Sequence, residues 1–219
     1  HSFMKRVLAA NPDALMAAAS GSGASDVAAA SRVCRSWHER VVGSSQIDDE
    51  PDNAFGELRS GEKPYRFDRP HDAIFLQDGE ICVADCDNFR LQIVTRDGGH
   101  VRDIRLHGGT SCPTGVAATA DFFYVVEHGA HQVSKLRRAS SSGHRHATAG
   151  GWGGGDGQLR HPWGVSVINR RVYVTDQGND RVSVFDADKL KWLYSFGEHG
   201  TGDGQLREPR CAAHEDRTP

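Results

Sequence analysis

The sequence has no long apolar run. Of its 219 residues 37% are hydrophobic, and no stretch reaches the ~18 to 20 consecutive apolar residues that span a bilayer. A basic pair at 5–6 precedes a short apolar run at 7–10, as in a signal peptide, but the turn-forming residues 11–13 interrupt it. The composition therefore predicts a globular protein of the cytoplasm, with the nucleus as the alternative location, and no contact with a membrane.

The sequence also lacks an excess of charge of either sign. It has 26 lysines and arginines against 29 aspartates and glutamates, a formal net charge of −3. No overall basic field exists to attract nucleic acid.

The five cysteines, Cys34, Cys82, Cys86, Cys112 and Cys211, show no zinc-ribbon spacing. Free thiols in a reducing compartment are the simplest interpretation. No Ser-His-Asp order, paired carboxylates or nucleotide-binding fingerprint can be argued from the spacing. We therefore predict a protein that is not an enzyme and needs neither a metal nor another cofactor.

What the sequence does contain is an internal repeat. Residues 155–162 and 202–209 differ at a single position, and their prolines lie 47 residues apart. Two earlier prolines, Pro70 and Pro113, continue the series at intervals of 43 and 49 residues. Apolar residues alternate with polar ones within each copy, as at Val172 and Val174, which is typical of short strands.

A second landmark supports the same register. Three residue types recur at matched spacing in the first and third copies, as Asp85, Asn88, Arg90 and as Asp176, Asn179, Arg181. Residues 125–132 of the middle copy have lost all three. We expect a turn in which Asn and Gly adopt the left-handed conformation and in which the arginine pairs with the aspartate.

About four short strands in 43 to 49 residues is the size of a β-propeller blade. We predict a mainly β fold over 55–219, with three four-stranded blades and a truncated fourth. This count does not close a ring. We expect either that the chain is a fragment of a gene product or that association completes the propeller.

Residues 155–185 and 70–94 resemble the NHL repeat, with its Gly-rich lead, its Pro-Gly-Val strand and its Val-x-Asp-x-x-Asn-x-Arg turn. In the first copy, residues 71–73 replace the usual Gly-Val. The resemblance implies a propeller, usually of six blades, and NHL propellers are often found in ubiquitin ligases. Certain members bind RNA through a positive face. Some propeller lyases of the wider superfamily bind zinc through central histidines.

Residues 8–42 differ in composition from the repeats, because they are rich in alanine and serine, and their pattern is helix-like. Residues 26–38 resemble the second half of an F-box, which docks a Skp-type adaptor. The resemblance implies an adaptor-binding surface formed by Pro12, Leu15, Val27, Val33 and Trp37. The alternative is a plain helical pair that packs on itself or on the propeller. Residues 43–54, polar and acidic, are predicted to be a linker.

Two groups of side chains carry weaker hypotheses. The pairs His128/His131 and His144/His146 have spacings that suit metal ligands, but a solvated loop explains both. A basic loop contributes Arg137, Arg138 and Arg145 as candidate RNA contacts. RNA binding would require this loop to face the same side as Arg66 and Arg69.

The leading hypothesis is a non-catalytic substrate-recognition subunit of the ubiquitin pathway. Its helical head would bind a Skp-type adaptor, and its propeller face would bind a target protein. The alternatives are an RNA-binding NHL propeller and a metal-dependent propeller lyase or hydrolase.

Overall fold

The computed structural model of the chain describes residues 66–96, 98–106 and 111–210. The segment predicted to be helical and F-box-like, 8–42, and the predicted linker, 43–54, lie outside the described residues. In the part that the structure describes, no helix is both long and apolar enough to cross a bilayer.

Three four-stranded antiparallel sheets make up most of the fold, and each sheet is a simple meander. Blade 1 contains β1 (Pro70–Phe75), β2 (Ile81–Asp85), β3 (Arg90–Val94) and β4 (His100–Arg105). Blade 2 contains β5 (Pro113–Ala118), β6 (Phe122–Glu127), β7 (Gln132–Arg137) and β8 (Arg145–Gly150). Blade 3 contains β9 (Pro162–Ile168), β10 (Arg171–Asp176), β11 (Arg181–Asp186) and β12 (Trp192–Phe196), with a 3-10 turn at Gln177–Asn179. The prediction of a mainly β fold with four-stranded blades is confirmed.

Beyond blade 3 the chain repeats the connection that precedes it. The short strands β13 (Glu198–His199) and β14 (Gln205–Leu206) pair in parallel, as Trp152 and Leu159 do one repeat earlier. In both connections a glutamine side chain, Gln158 or Gln205, accepts a backbone N–H at 2.9 Å from the glycine three residues before it.

The blades pack through their apolar faces, and β5 lies between β1 and β9. Val172 and Val174 belong to the core between blades 2 and 3, whereas Val182 and Val184 pack with Leu206 on the other side of blade 3. Alternation at period two therefore supplies both faces of one sheet, because apolar residues pack on both sides of the blade.

The innermost strands are also joined by hydrogen bonds. The hydroxyl of Thr114 donates to the Trp163 carbonyl at 2.9 Å. A Cβ at Gly115 would lie 2.8 Å from that same carbonyl oxygen, so the close approach requires glycine. Where blade 1 has Asp72 in place of this glycine, the carboxylate accepts the backbone N–H of Val116 at 2.9 Å.

The turn between the second and third strands differs in detail from the prediction. The left-handed residue is the one immediately before the third strand, namely Phe89, His131 or Asp180, with φ of 51°, 54° and 53°. Asn88 and Asn179 were expected to adopt that conformation, but their side chains bond to the preceding aspartate instead. Each turn therefore ends on a left-handed residue whose backbone conformation is the same in all three blades.

Candidate functional site

The buried frame of blade 1 is centred on the Asp85 carboxylate. One oxygen accepts the backbone N–H of Asp68 at 2.7 Å, and the other accepts Asn88 Nδ2 at 2.8 Å and Arg90 Nε at 2.7 Å. The Arg90 guanidinium also donates to Asp103 at 2.9 Å. Both Asp85 and Arg90 side chains are fully buried. The network fixes the segment before β1 against the turn after β2.

Blade 3 repeats this geometry. Asp176 accepts the Arg160 backbone N–H at 2.6 Å, Asn179 Nδ2 at 2.8 Å and Arg181 Nε at 2.9 Å. Arg181 then donates to three backbone carbonyls of the preceding loop, among them that of Gln158 at 2.9 Å. The six repeat-turn residues singled out in the sequence therefore form two equivalent structural networks, one in each blade.

Blade 2 builds a substitute from other residues. Glu127 stands at the aspartate position, and its carboxylate accepts Nε of Arg145 at 2.9 Å and Nη2 at 2.6 Å. Ser134 and Gln132 add further bonds to the same carboxylate. Burial alone would raise the pKa of Glu127, but bonds from Arg145, Ser111 and Ser134, with the Arg145 charge, lower it below its usual value. The guanidinium that the turn has lost is supplied from β8.

These frames hold up one surface, which we call the loop face. It carries the turn after the second strand of each blade and the segment before the first strand, because Pro70 pairs with Asp85 and Pro113 with Glu127. Each first strand has an irregularity in its pairing just after its proline. His71 and Trp163 lie at two of these irregularities, and such bulges re-aim side chains.

A continuous row of rings crosses the loop face, and we call it the aromatic ridge. Its members are His71, Trp163, His128, His161, His131 and Trp152. Successive ring centroids lie 5.0, 5.4, 4.9, 4.7 and 4.7 Å apart, within the range of aromatic pairs. Trp152, at one end, is 57% exposed.

Two arginines lie over the indoles of the ridge. The Arg160 guanidinium carbon is 5.1 Å from the Trp152 ring centroid, and that of Arg210 is 4.7 Å from the Trp163 ring. These are cation–π distances. The ridge therefore combines flat apolar surface with positive charge.

Two histidines of the ridge, His128 and His131, have a pKa below the usual value. Burial, together with the neighbouring His161, His131, His71 and Arg210, lowers the pKa of His128 to about 4. Burial and His161 also lower the pKa of His131, whose Nδ1 accepts the His161 backbone N–H at 3.1 Å. The two histidines predicted to be solvated loop residues are thus partly buried members of the ridge. His144 and His146 are exposed, as expected, but His146 lies in β8 and not in a loop.

Two of the cysteines that were predicted to be free thiols are bonded to each other. Cys86 and Cys112 form a disulfide between the blade 1 turn and the segment before β5, with their Cα atoms 4.5 Å apart. Sequence spacing did not indicate this pair, because the repeat brings together residues 26 apart in the chain. Cys82 is buried and unbonded. Burial raises the pKa of its thiol far above the usual value.

Two of the three basic side chains proposed as RNA contacts, Arg137 and Arg138, do not share one surface with Arg69. Arg69 directly precedes Pro70 on the loop face, whereas Arg137 ends β7 opposite Phe122, at the other end of its blade. Arg138 pairs with Asp78 at 2.8 Å, and Arg145 lies in β8 and pairs with Glu127. The residues proposed to bind an adaptor, Pro12, Leu15, Val27, Val33 and Trp37, lie outside the described residues.

Comparison with known proteins identifies the repeat. Residues 67–94 and 159–185 match the NHL repeat. Those two segments are NHL repeats. Blade 2, whose turn has lost the Asp, Asn and Arg, is not matched, although its fold is the same. Protein lin-41 of Caenorhabditis elegans is 52% identical over 42 residues, which are 19% of this chain and 4% of that protein.

Two solved structures share the architecture. The hydrazine synthase of Kuenenia stuttgartiensis aligns over 71% of this chain and 40% of its own, with a TM-score of 0.52 and 15% identity. A chain of a nidogen/laminin complex aligns over 64% of this chain and 51% of its own, with a TM-score of 0.51 and 18% identity. This chain thus spans about half or less of each. At such identities the likeness shows the fold alone.

The sequence interpretation missed most of the ridge. Trp163 and His71 occupy the variable place between the proline and the next repeat position, where blade 2 has Thr114. His131 occupies the left-handed turn position. Comparing these places across the copies would have separated the outward-facing residues from those of the buried frame.

Proposed function

We propose that this chain is a non-catalytic protein-binding module, and that its loop face holds a target protein for ubiquitin ligation. The aromatic ridge carries this proposal. Tryptophan and arginine are the side chains that contribute most strongly to protein interfaces. The loop face presents two tryptophans, each with an arginine over its ring, on a frame held by buried ion pairs.

The three buried carboxylates of the frame favour a binding role for the chain over a catalytic one. Asp85, Asp176 and Glu127 each meet an arginine and further donors, so their carboxylates are committed to holding the fold. They are fully buried beneath the loop face. A general acid or base has to reach a substrate proton, and these three groups are placed to brace turns instead.

The ubiquitin-pathway part of the proposal rests on the NHL repeats together with the F-box-like pattern at 26–38. In that arrangement the head binds a Skp-type adaptor, and the loop face presents the target. RNA binding is less well supported, because Arg137 and Arg138 lie away from the loop face and Arg145 is committed to Glu127.

The loop face can be tested with one variant and a closely matched control. Trp152 and Phe75 are both 57% exposed, but Phe75 ends β1 at the opposite side of its blade. In cross-linked immunoprecipitation from cells, Trp152→Ala should lose specific protein partners that Phe75→Ala retains. Equal recovery of the same partners by both variants would show that the loop face is not the binding surface.

The adaptor-binding head is tested separately. A purified Skp-type adaptor should bind the wild-type chain and should bind Trp37→Ala at least about tenfold more weakly, as loss of an interface tryptophan commonly does. Absence of binding by the wild-type chain would overturn the ubiquitin-pathway assignment. It would leave the loop-face proposal standing.

A further inference from the structure

The seam between blades 1 and 2 brings two sulfur atoms and a carboxylate to one point of the loop face. Cys86 directly follows β2 and is buried, while Cys112 directly precedes β5 and is half-buried. Asp87, next to Cys86, completes the group. Two Cys sulfurs and one Asp oxygen all lie within 4.8 Å of one another, the only such grouping of three His, Cys, Asp or Glu ligand atoms among the described residues.

The carboxylate of this group is accessible and weakly held. The Asp87 side chain is 26% exposed, and its partner Arg69 is 72% exposed. An ion pair so open to water is weak, so a metal ion can displace Arg69 from the Asp87 carboxylate. The exposure also leaves room for a water molecule as an additional ligand.

The disulfide is one of two states available to these sulfurs. In the cytoplasm, the location that we predict for this chain, thiols such as glutathione keep cysteines reduced. Thiol–disulfide exchange would break the Cys86–Cys112 bond and leave two adjacent thiols, with the reductant oxidised to its own disulfide. Two thiolates and a carboxylate form a donor set that suits a four-coordinate zinc ion with one water.

We propose that the reduced chain binds Zn²⁺ through Cys86, Cys112 and Asp87, and that the metal then joins blades 1 and 2 as the disulfide does when the chain is oxidised. Each Cys S–H gives up its proton as its Zn–S bond forms, so binding releases two protons and the Asp87 carboxylate binds without proton loss. This site is new relative to the sequence-based expectation of no metal, and it does not depend on the proposed function.

The site lies directly beside the aromatic ridge. The carbonyl of Cys112 accepts the backbone N–H of His128 at 3.0 Å. Asp87 donates its own backbone N–H to the carbonyl of Asp68, in the segment that precedes β1. Whatever crosslinks the two cysteines therefore also fixes the backbone that carries the ridge.

The test uses Co²⁺ as a spectroscopic substitute for Zn²⁺, in the full chain with Cys34→Ser and Cys211→Ser to remove the other thiols. A phosphine reductant breaks the disulfide: phosphorus takes the oxygen of one water, and two protons pass to the sulfurs. Anaerobic titration should then show sulfur-to-cobalt charge-transfer absorption that saturates at one equivalent and is abolished by stoichiometric Zn²⁺. Binding should tighten roughly 100-fold per pH unit while both thiols are protonated, because two protons leave.

Three variants and the oxidised chain distinguish the outcomes. Cys86→Ser should abolish the charge-transfer band, and Asp87→Asn should weaken binding at least about tenfold. Cys82→Ala, which removes the buried thiol four residues away, should leave binding unchanged. The chain in its disulfide form should bind no cobalt, and this holds even if a serine variant fails to fold. Absence of the band in the reduced chain, or its persistence in Cys86→Ser, would overturn the proposal.

Discussion

Removing the Asp85 carboxylate should destabilise the chain far more than removing an exposed one. In Asp85→Ala the guanidinium of Arg90 stays fully buried and loses its bond at 2.7 Å. Two neutral donors, the Asp68 N–H and the Asn88 amide, lose their acceptor as well. Breaking a buried ion pair from one side costs about 3–5 kcal/mol, because the remaining charge is left uncompensated in a low-dielectric interior.

The structure places the expected value toward the lower end of that range. Arg90 keeps a second carboxylate, Asp103, at 2.9 Å, so its charge is not left wholly alone. We expect a loss of about 3 kcal/mol in the free energy of unfolding. The matched control is Asp188→Ala, which breaks the exposed pair with Arg170, whose side chains are 55% and 80% exposed. That change should leave the free energy of unfolding nearly unchanged.

Urea denaturation followed by circular dichroism gives both values from the midpoint and the slope. A third variant, Asp85→Ala with Arg90→Met, separates two explanations. If the unpaired guanidinium causes the loss, removing it should recover part of the stability. A cost for Asp85→Ala below about 1 kcal/mol, or a double variant less stable than the single one, would refute the reasoning.

Four further substitutions test other contacts of the fold. Arg145→Met leaves the buried Glu127 carboxylate without its guanidinium and should cost about 3–5 kcal/mol in the same assay; a near-neutral result would mean that the hydroxyl and amide donors suffice. Gly143→Ala would place a methyl carbon 1.8 Å from a β4 carbonyl oxygen at φ +64°, so the melting temperature should fall by several degrees, and an unchanged value would contradict that contact. Burial raises the pKa of Asp72 to about 6 and lowers that of His128 to about 4. The stabilisation of the fold by Asp72 is therefore present below about pH 4 and is lost as the pH rises through 6. The stabilisation by His128 is present above about pH 6.5 and is lost as the pH falls through 4. Between pH 4 and 7, the free energy of unfolding should rise more steeply with pH in Asp72→Asn than in the wild type, and less steeply in His128→Gln. Stability profiles that superimpose on that of the wild type would rule out both pKa shifts.

The repeat made the strands and the two intact turns predictable, because the same residue types at matched offsets occur where the same backbone forms. Comparison of the copies does not predict the turn network of blade 2. Glu127 and Arg145 are 18 residues apart and belong to no recurring motif, so only the folded sheet reveals that they replace an aspartate and an arginine five apart. The disulfide escaped prediction for the same reason, since its two cysteines become neighbours only when two blades pack.

The separation between frame and surface explains how this scaffold can vary its binding face without losing its fold. The frame residues are buried and each makes several hydrogen bonds, so they tolerate little change. Two places in each blade are different: the position after the proline, and the left-handed residue that ends the turn. They hold His71, Thr114 and Trp163 in the first case, and Phe89, His131 and Asp180 in the second. Size, charge and polarity all differ across the three blades, while φ at the turn position stays within 51–54°. The backbone is therefore set by the buried network and not by the side chain that it displays. Thr114 is buried and donates to the Trp163 carbonyl, so it belongs with the frame. Specificity for a partner should accordingly depend on the other five positions, and exchanging them between blades should alter binding more than it alters the unfolding transition.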